Sequence, residues 1–532
     1  VSVSGLEKGT VYSWFVNVTD PLGSGNWTNK SFSFTTEFPP AIHRFTVDNS
    51  SHDRYGLVYP VTFVFDIPSG SSGLKAFTYD DDWVRIAERS AGEVFSGVEA
   101  ARFDYTADKA YVSVAFLSDS DSVNVKITDS LNDTVDVSYI GIAEYYDDRT
   151  SAVVISGDDW DSGEDQDFVD ACDACRVRNI WFTPGITTHG QAYFGWGPPN
   201  WSMIQTEVDE GFIEPASHSR NHLHVPYDQA QWGRQSDYDT EIGVSKQDIL
   251  ENVTMPALNR KSDTEYVYAW IEPFGDWDST VSQKLGEYDY LCDRSTGSDT
   301  GFASWRDTDE VYNRIGVAIA GDGKSVSQMN SQFDSVYSSG GIYHLYCHPR
   351  NHDWQTGPIA SHLDYLSNRS DVWYVGFGHL YVYHYMQERD VISHQKITGN
   401  IAPCVLSESP LDGSVEISPG IIDLQVTVDD INEDLMDVVF MTNASGSWQV
   451  IGSNTSVGNG VYQQTHTFDS YDTVYYWCVN VSDGESSVNT SFQFTTRPEN
   501  YPPQQMSPYP ADTAQGRSEE RRVGKECATG CR

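Results

Sequence analysis

The sequence predicts a multidomain protein in which a parallel (β/α) barrel is flanked by all-β sandwiches. Three observations predict it. Two segments at opposite ends of the chain repeat one hairpin pattern. Between Ser151 and about residue 396, short apolar strands alternate with helices. Polar residues punctuate the C-terminal ends of those strands, where α/β barrels build their sites.

The repeat is read directly. Thr10-Val11-Tyr12-Ser13-Trp14-Phe15-Val16-Asn17-Val18-Thr19-Asp20 matches Thr473-Val474-Tyr475-Tyr476-Trp477-Cys478-Val479-Asn480-Val481-Ser482-Asp483. Ser31 to Thr36 likewise matches Ser491 to Thr496. Each half alternates apolar and polar residues about a turn, the hairpin signature. Both copies end in proline linkers, Pro39-Pro40 and Pro502-Pro503. The pattern resembles the last strands of immunoglobulin-like or fibronectin type III modules. It implies a truncated module over 1–38 and a whole one over 402–497, with a further module opening at 501–516. Residues 41–146 read as a second sandwich, from the alternation in Val61–Asp66 and Ala110–Phe116. There Tyr79-Asp80-Asp81-Asp82 offers oxygen ligands for calcium, with a solvated acidic turn as the plainer reading. Residues 517–532 are a basic burst resembling a translated sequencing adapter and are set aside.

Length and charge bound the rest. The chain has 532 residues and a net charge of −44, too long for one domain. Such an acidic surface repels phosphate backbones and anionic lipid, so nucleic acid and membrane surfaces are poor partners. No apolar run of about 18 residues suggests a membrane span. The opening at Val1 reads as the inside of a strand. Recurrent Asn-x-Ser/Thr sequons, Asn17, Asn132 and Asn443 among them, favour an extracellular or cell-surface location. Cys172 and Cys175 fall on one helix face. Cys404 with Cys478, and Cys292 with Cys347, are possible disulfides.

In the barrel region, Ala152–Ile155 is a strand and Asp167–Val177 a helix with Phe168, Cys172 and Cys175 on one face. Ile180–Phe182 is a strand. Ser202–Glu210 is a helix stopped by Gly211. Phe212-Ile213 opens a strand, and Ser245-Lys246-Gln247-Asp248 starts another helix as a variant capping box. Tyr266–Ile271, Ile342–Cys347 and Val372–Tyr374 complete the strands.

The chemistry falls at their ends. If a helical turn follows Ser217, His218 and His222 project from one face and chelate a metal. The pair Asp158-Asp159 can supply a third ligand. Pro273-Phe274-Gly275 and His348-Pro349 end two further strands. No glutamate follows His218, so this is not the metalloprotease HExxH motif.

The order Gly157-Asp158-Asp159, His218-Ser219-Arg220-Asn221-His222, Pro273-Phe274-Gly275 and His348 resembles the polysaccharide deacetylase family, the NodB-homology domain of carbohydrate esterase family 4. The resemblance covers about residues 147–396, including the ending Asp371–His379. It implies a distorted (β/α) barrel of the NodB deacetylase type holding one divalent metal, zinc first and cobalt or nickel as alternatives. Asp159, His218 and His222 would be its ligands. Asp158 would be the general base, His348 the general acid, and the Phe274 backbone N–H an oxyanion donor. The implied activity is removal of N- or O-acetyl groups from an extracellular polysaccharide, with the β-modules as neighbours in a longer chain. Trp160, Pro273, Tyr346 and His344 are candidate substrate contacts, and His189 could also line the site. Two positions depart from the family. Ile271 stands where an arginine usually pairs with the base, and Tyr346 where a leucine usually stands. Asp293, Arg294 and Trp305 are candidates for the one motif left unplaced. The alternatives are a catalytically weak glycan-binding barrel and a rigid structural bead of a large surface protein.

Overall fold

The computed structural model describes residues 11–19, 27–35, 41–79, 82–116, 122–255, 266–295, 313–315, 319–389 and 391–499. Asp80, Asp81, Trp305 and residues 501–532 lie outside them. The chain divides into two compact units at Gly399/Asn400. Among the described residues no helix is long and apolar enough to cross a membrane.

The first unit is built on a curled, all-parallel half-barrel sheet. Its strands are β1 (Ser151–Trp160), β2 (Phe182–Ile186), β3 (Ala216–Ser217), β4 (Ala269–Ile271), β5 (Cys292–Arg294), β6 (Asn313–Ile315), β7 (Ile319–Ala320), β8 (Ile342–Cys347) and β9 (Val372–Tyr374). The order is β6-β5-β4-β3-β2-β1-β8-β7, with β9 also paired to β1. Side chains alternate across a strand, so Ala152, Val154, Ile271, Cys292 and Ile342 fall in one buried cluster while Val153, Ile155, Phe182, Trp270 and Cys347 join another. The second cluster includes Phe168, Cys172 and Cys175 of the helix Asp165–Arg176. Cys292 and Cys347 therefore sit on opposite faces of the sheet, and both are free thiols. The disulfide the sequence left open between them is not formed.

Residues 41–146 form two antiparallel sheets. One runs Ser138–Ile142, Val61–Asp66, Lys109–Val114, Ala100–Asp104, and the other starts from Ile392–Thr398 beside Ala41–Val47. The strand Ile392–Thr398, placed with the barrel by sequence, thus completes this β layer (Ala41 opposite Thr398, Val47 opposite Ile392). Phe45, Phe63 and Phe65 share one core with Val154, Trp373 and Val375 of the barrel. Tyr59 accepts from Trp373 Nε1 at 3.2 Å. The 146/147 boundary is a change of secondary structure rather than a break in packing.

Glu214 lies at the end of the sheet away from the strand C-termini. It is fully buried, accepting the amides of Gly378 and His379, each at 3.0 Å, at the start of the helix Phe377–Glu388. Glycine is required at 376 and 378, where a Cβ would fall within 2.2 Å of its carboxyl. Burial pushes this carboxyl up from 4.5 to about 8, against the two amide donors that favour the anion. Burial likewise holds the neighbouring His379 neutral, with its pKa down at about 3, so the contact is between two neutral groups. The folded state keeps a proton that the unfolded chain releases. The carboxyl's contribution is complete below pH 4.5 and is lost as pH rises through about 8, whereas His379, which only the unfolded chain protonates readily, acts in the opposite sense below 6.5. We expect stability from this site to fall between pH 6.5 and 8, where only the carboxyl titrates, by roughly 2 kcal/mol, read by urea unfolding, and Glu214→Gln to flatten that fall.

The second unit carries two sheets, Cys404–Ser409/Gly420–Asp429/Gly460–Phe468 and Ser414–Ile417/Ser487–Thr496/Val474–Ser482/Met436–Thr442/Gln449–Val457. They bury a common core that includes Leu424, Val426, Phe440, Trp477 and Phe494. The unit is thus a two-layer β structure. Cys404 is exposed at a strand start and Cys478 buried in the other sheet, both as thiols. The repeat is real as a hairpin. Trp14 opposes Phe32 in one copy as Trp477 opposes Phe492 in the other. Trp477 is buried, whereas Trp14 is half exposed in its two-stranded sheet.

Candidate metal centre

The site lies at the C-terminal ends of β1, β3, β4 and β8. Adjacent residues of a strand normally face opposite ways, yet Asp158 and Asp159 both line one cavity. A β-bulge explains it. Gly157 pairs with Pro184 and Trp160 with Ile186, so β1 carries one extra residue, and Asp159 takes φ 86°. Bulges re-aim side chains in this way. Gly157 is needed before the pair, because a Cβ there would meet the Phe182 ring at 2.6 Å.

Residues 218–222 are not the expected helical turn. They form a loop with Ser219 at φ 67° and His222 at φ 52°, conformations disfavoured for residues with a Cβ. Neighbouring groups hold it there. The Asn221 amide donates to Glu241 Oε2 at 2.8 Å and its side chain to Oε1 at 2.6 Å. The His222 amide donates to Ser219 Oγ at 2.9 Å. Ser245 does not cap a helix either. A π-helical turn, Asp239–Val244, runs straight into Ser245–Asn252, and Ser245 Oγ donates back to the Glu241 carbonyl at 2.7 Å.

The loop brings both imidazoles onto Asp159. His218 Nε2 is 3.2 Å and His222 Nε2 3.0 Å from Asp159 Oδ1. His218 Nδ1–H donates to the Ile271 carbonyl at 2.8 Å, which turns the Nε2 lone pair toward the carboxylate. All three donor atoms lie within 4.8 Å of one another, and all three residues are buried. Two imidazoles and a carboxylate converging on one point fit a divalent ion of the zinc, cobalt or nickel type. Burial alone would raise the Asp159 carboxyl, but His222 and His218 take it well below its usual range. Burial lowers His222, outweighing the pull of Asp159.

Two further residues, Asp158 and His348, face the same cavity, whose volume is about 340 Å³, each held from behind by a charged partner. Arg294, fully buried, donates to Asp158 Oδ1. Arg294 is the register partner of Ile271 on the adjacent strand, so the cation missing at Ile271 arrives from one strand over. On the other side His348 Nδ1–H donates to Asp322 Oδ2 at 2.5 Å, and His352 Nε2 bonds Asp322 Oδ1 at 2.8 Å. Burial works to lower His348, but the Asp322 hydrogen bond and the charges of Asp158 and Asp159 push it up to about 9.

Phe274, Tyr346 and His348 line the cavity. Phe274 takes φ 56° in the short turn that begins at buried Pro273. Trp160 and His344 do not line it. Trp160 is fully buried, stacked on Phe168 at 4.8 Å, with Nε1 donating to Asp165. His344 is buried one layer below His348, bonded to Ser156 Oγ at 2.9 Å. His189 is tied to Asn221 Oδ1 at 2.9 Å. Sequence reading missed Asp322, Arg350 and Glu164. Arg350 donates to Asp159 Oδ2 at 2.7 Å and to Glu164 Oε1. Asp322 lies two residues past the short strand β7, so it obeys the strand-end rule that found the others. Arg350 and Glu164 gave no such signal. A second carboxylate group, Asp173, Glu207 and Glu210, is gathered on Arg176 as an ion-pair network.

No protein-family profile matches the chain, and no curated protein sequence does. Among solved structures it is similar to a protein assigned as a polysaccharide deacetylase from Mycobacterium smegmatis, at 13% identity and TM-score 0.33, covering 46% of this chain and 92% of that one. It is also similar to the sensor domain of the anti-sigma factor RsgI4 of Pseudobacteroides cellulosolvens, at 15% identity and TM-score 0.15, covering 20% and 97%. An endo-beta-1,4-mannanase from Thermotoga petrophila aligns at 9% identity and TM-score 0.17, covering 60% and 65%. Likenesses of this size carry no function, and what the site can do rests on its side-chain geometry.

Proposed function

We propose that the protein is a metal-dependent hydrolase that removes acetyl groups, N-acetyl foremost, from an extracellular polysaccharide. The observation that carries this is one cavity holding the Asp159/His218/His222 donor set between an arginine-held carboxylate, Asp158, and a carboxylate-held imidazole, His348. A bound divalent ion supplies a Lewis acid for the acetyl carbonyl and acidifies water. Asp158 takes the proton of the attacking water, with Arg294 fixing its orientation. His348, whose Nδ1–H is engaged by Asp322, presents Nε2 to the cavity and protonates the leaving nitrogen. The Phe274 amide steadies the developing oxyanion. Tyr346, with the Arg294 guanidinium 4.8 Å from its ring centroid, bounds the space for the acetyl methyl. The β layers act as spacers or glycan-holding arms on the cell surface or in the medium.

A second reading is a catalytically weak glycan-binding barrel. Arg350 favours it, because it engages the carboxylate that a metal ion needs. The test is acetate release from chitooligosaccharides, peptidoglycan fragments and acetylated xylan by the zinc- or cobalt-loaded full chain. We expect release, lost on chelation, and reduced about 10²- to 10⁴-fold by Asp158→Asn, the usual worth of a general base. Stoichiometric metal with no acetate from any substrate would favour the binding reading. No metal and no acetate would overturn the site itself.

A further inference from the structure

Aromatic rings run from the cavity out over its rim. Phe274 packs edge-on against His222, with ring centroids 4.3 Å apart. Trp232 is 6.2 Å from Phe274, and Tyr193 is 5.5 Å from Trp232. Phe194 follows at 4.9 Å from Tyr193, and Trp196 stacks on Phe194 at 4.5 Å. Four of these rings are strongly exposed, Tyr193 by 60%, Phe194 by 48%, Trp232 by 43% and Phe274 by 43%. Tyr193, Phe194 and Phe274 line the cavity, while Trp196 and Trp232 stand beyond it. A contiguous exposed aromatic patch on a folded domain marks a binding surface.

The patch is built to stay in place. Arg234 ties its two loops together, with Nη1 donating to the Gly190 carbonyl at 2.6 Å and to Asn221 Oδ1 at 2.8 Å, and Nη2 to the Trp196 carbonyl at 2.9 Å. Trp196 lies on Gly163, where a Cβ would come within 2.4 Å of the indole. His224 stacks on Phe274 at 3.8 Å and bonds Asp276 at 2.5 Å. Rings held this way lose little entropy on binding.

We propose that this row is a platform for a neutral polysaccharide chain, gripping several sugar units beside the one whose acetyl group enters the cavity. The proposal deepens the deacetylase reading and rests on it for the direction of the chain. Pyranose rings with equatorial substituents present C–H faces of partial positive charge, which suit the negative faces of aromatic rings. A row that continues past the cavity serves a polymer rather than a single sugar. Neutrality follows from charge. Among the described residues the nearby guanidiniums are engaged, Arg234 as above, Arg350 by Asp159 and Glu164, and Arg220 by Asp248. Asp158 and Asp159 face the cavity, and the cations that line it are already paired, His348 with Asp322 and Arg350 with Asp159 and Glu164, so a carboxylated or sulfated chain meets net repulsion there.

The test is isothermal titration of the full chain after chelation, so that binding is read apart from turnover. The probes are chitohexaose, cellohexaose and a hyaluronan hexasaccharide, with Trp232→Ala and Tyr193→Ala as variants and thermal melts as the check on folding. We expect the neutral hexasaccharides to bind, hyaluronan not to, and each variant to weaken binding by about tenfold, the loss expected for one stacking ring. Unchanged binding in both variants would overturn the platform, as would the absence of heat with both neutral probes or preference for hyaluronan. Dimerisation lost in Trp232→Ala, without glycan binding, would reassign the rings to a contact between copies. Glycan binding without acetate release from the metal-loaded protein leaves the platform standing and removes only the hydrolase reading.

Discussion

His218→Ala is expected to reduce zinc binding by more than about 100-fold, since loss of groups that merely orient a ligand costs 10- to 100-fold, and to take acetate release to background. His218 is the sharpest choice of the three proposed ligands. Its two ring nitrogens have separate duties, Nδ1–H to the Ile271 carbonyl and Nε2 toward Asp159. Alanine removes the ligand and leaves that carbonyl without its partner. Zinc stoichiometry by mass spectrometry after dialysis is the direct measurement. His348→Ala provides the contrast, because it should impair release while retaining the metal. If His218→Ala keeps full zinc, the ion binds elsewhere and the donor set is misassigned.

Arg294→Leu is expected to carry the largest stability cost, about 3–5 kcal/mol, because it strands the buried Asp158 carboxylate without its cation. Urea unfolding reads the cost directly. The double variant Asp158→Asn/Arg294→Leu should recover most of it, since both partners of the buried pair are then gone. Activity offers an independent check. Ile271 and Arg294 are register partners on adjacent strands with side chains on the same face. Ile271→Arg in the Arg294→Leu background should therefore restore part of the lost acetate release. A double variant no more stable than Arg294→Leu alone would mean that the arginine is held for packing, not for charge.

Much of this was open to sequence reading, for a physical reason. Strand–helix alternation and the rule that barrel sites gather at strand ends depend only on local pattern, and they placed Asp158, Asp159, His218, His222, Phe274 and His348 around one cavity. What pattern cannot express is adjacency across strands. Arg294 reaches Asp158 because β5 lies beside β4 in register, and neither position betrays that. Asp322 follows a strand of two residues, too short to announce itself. Face assignment failed where a strand end departs from regular geometry. Trp160 follows the bulge and is turned into the core, whereas His344 keeps its face but sits one layer too deep. The loop at 218–222 reads as helix by spacing, yet its left-handed residues are imposed by Glu241 and Ser219, partners that no periodicity reveals.

The pairing of Ala41 with Thr398 has a mechanical consequence. The polypeptide enters and leaves this β layer at one corner, between two antiparallel strands. Tension applied through the flanking segments is borne by that corner, and the cavity hangs off the line of force as a closed loop. Because the pull is directed across the strands at one end, the rungs from Ala41/Thr398 toward Val47/Ile392 are loaded one after another, as in a zipper, rather than together in shear. Within residues 41–398 a stretched chain would therefore yield first at this seam, while the proposed metal ligands, Asp159, His218 and His222, keep their positions relative to one another.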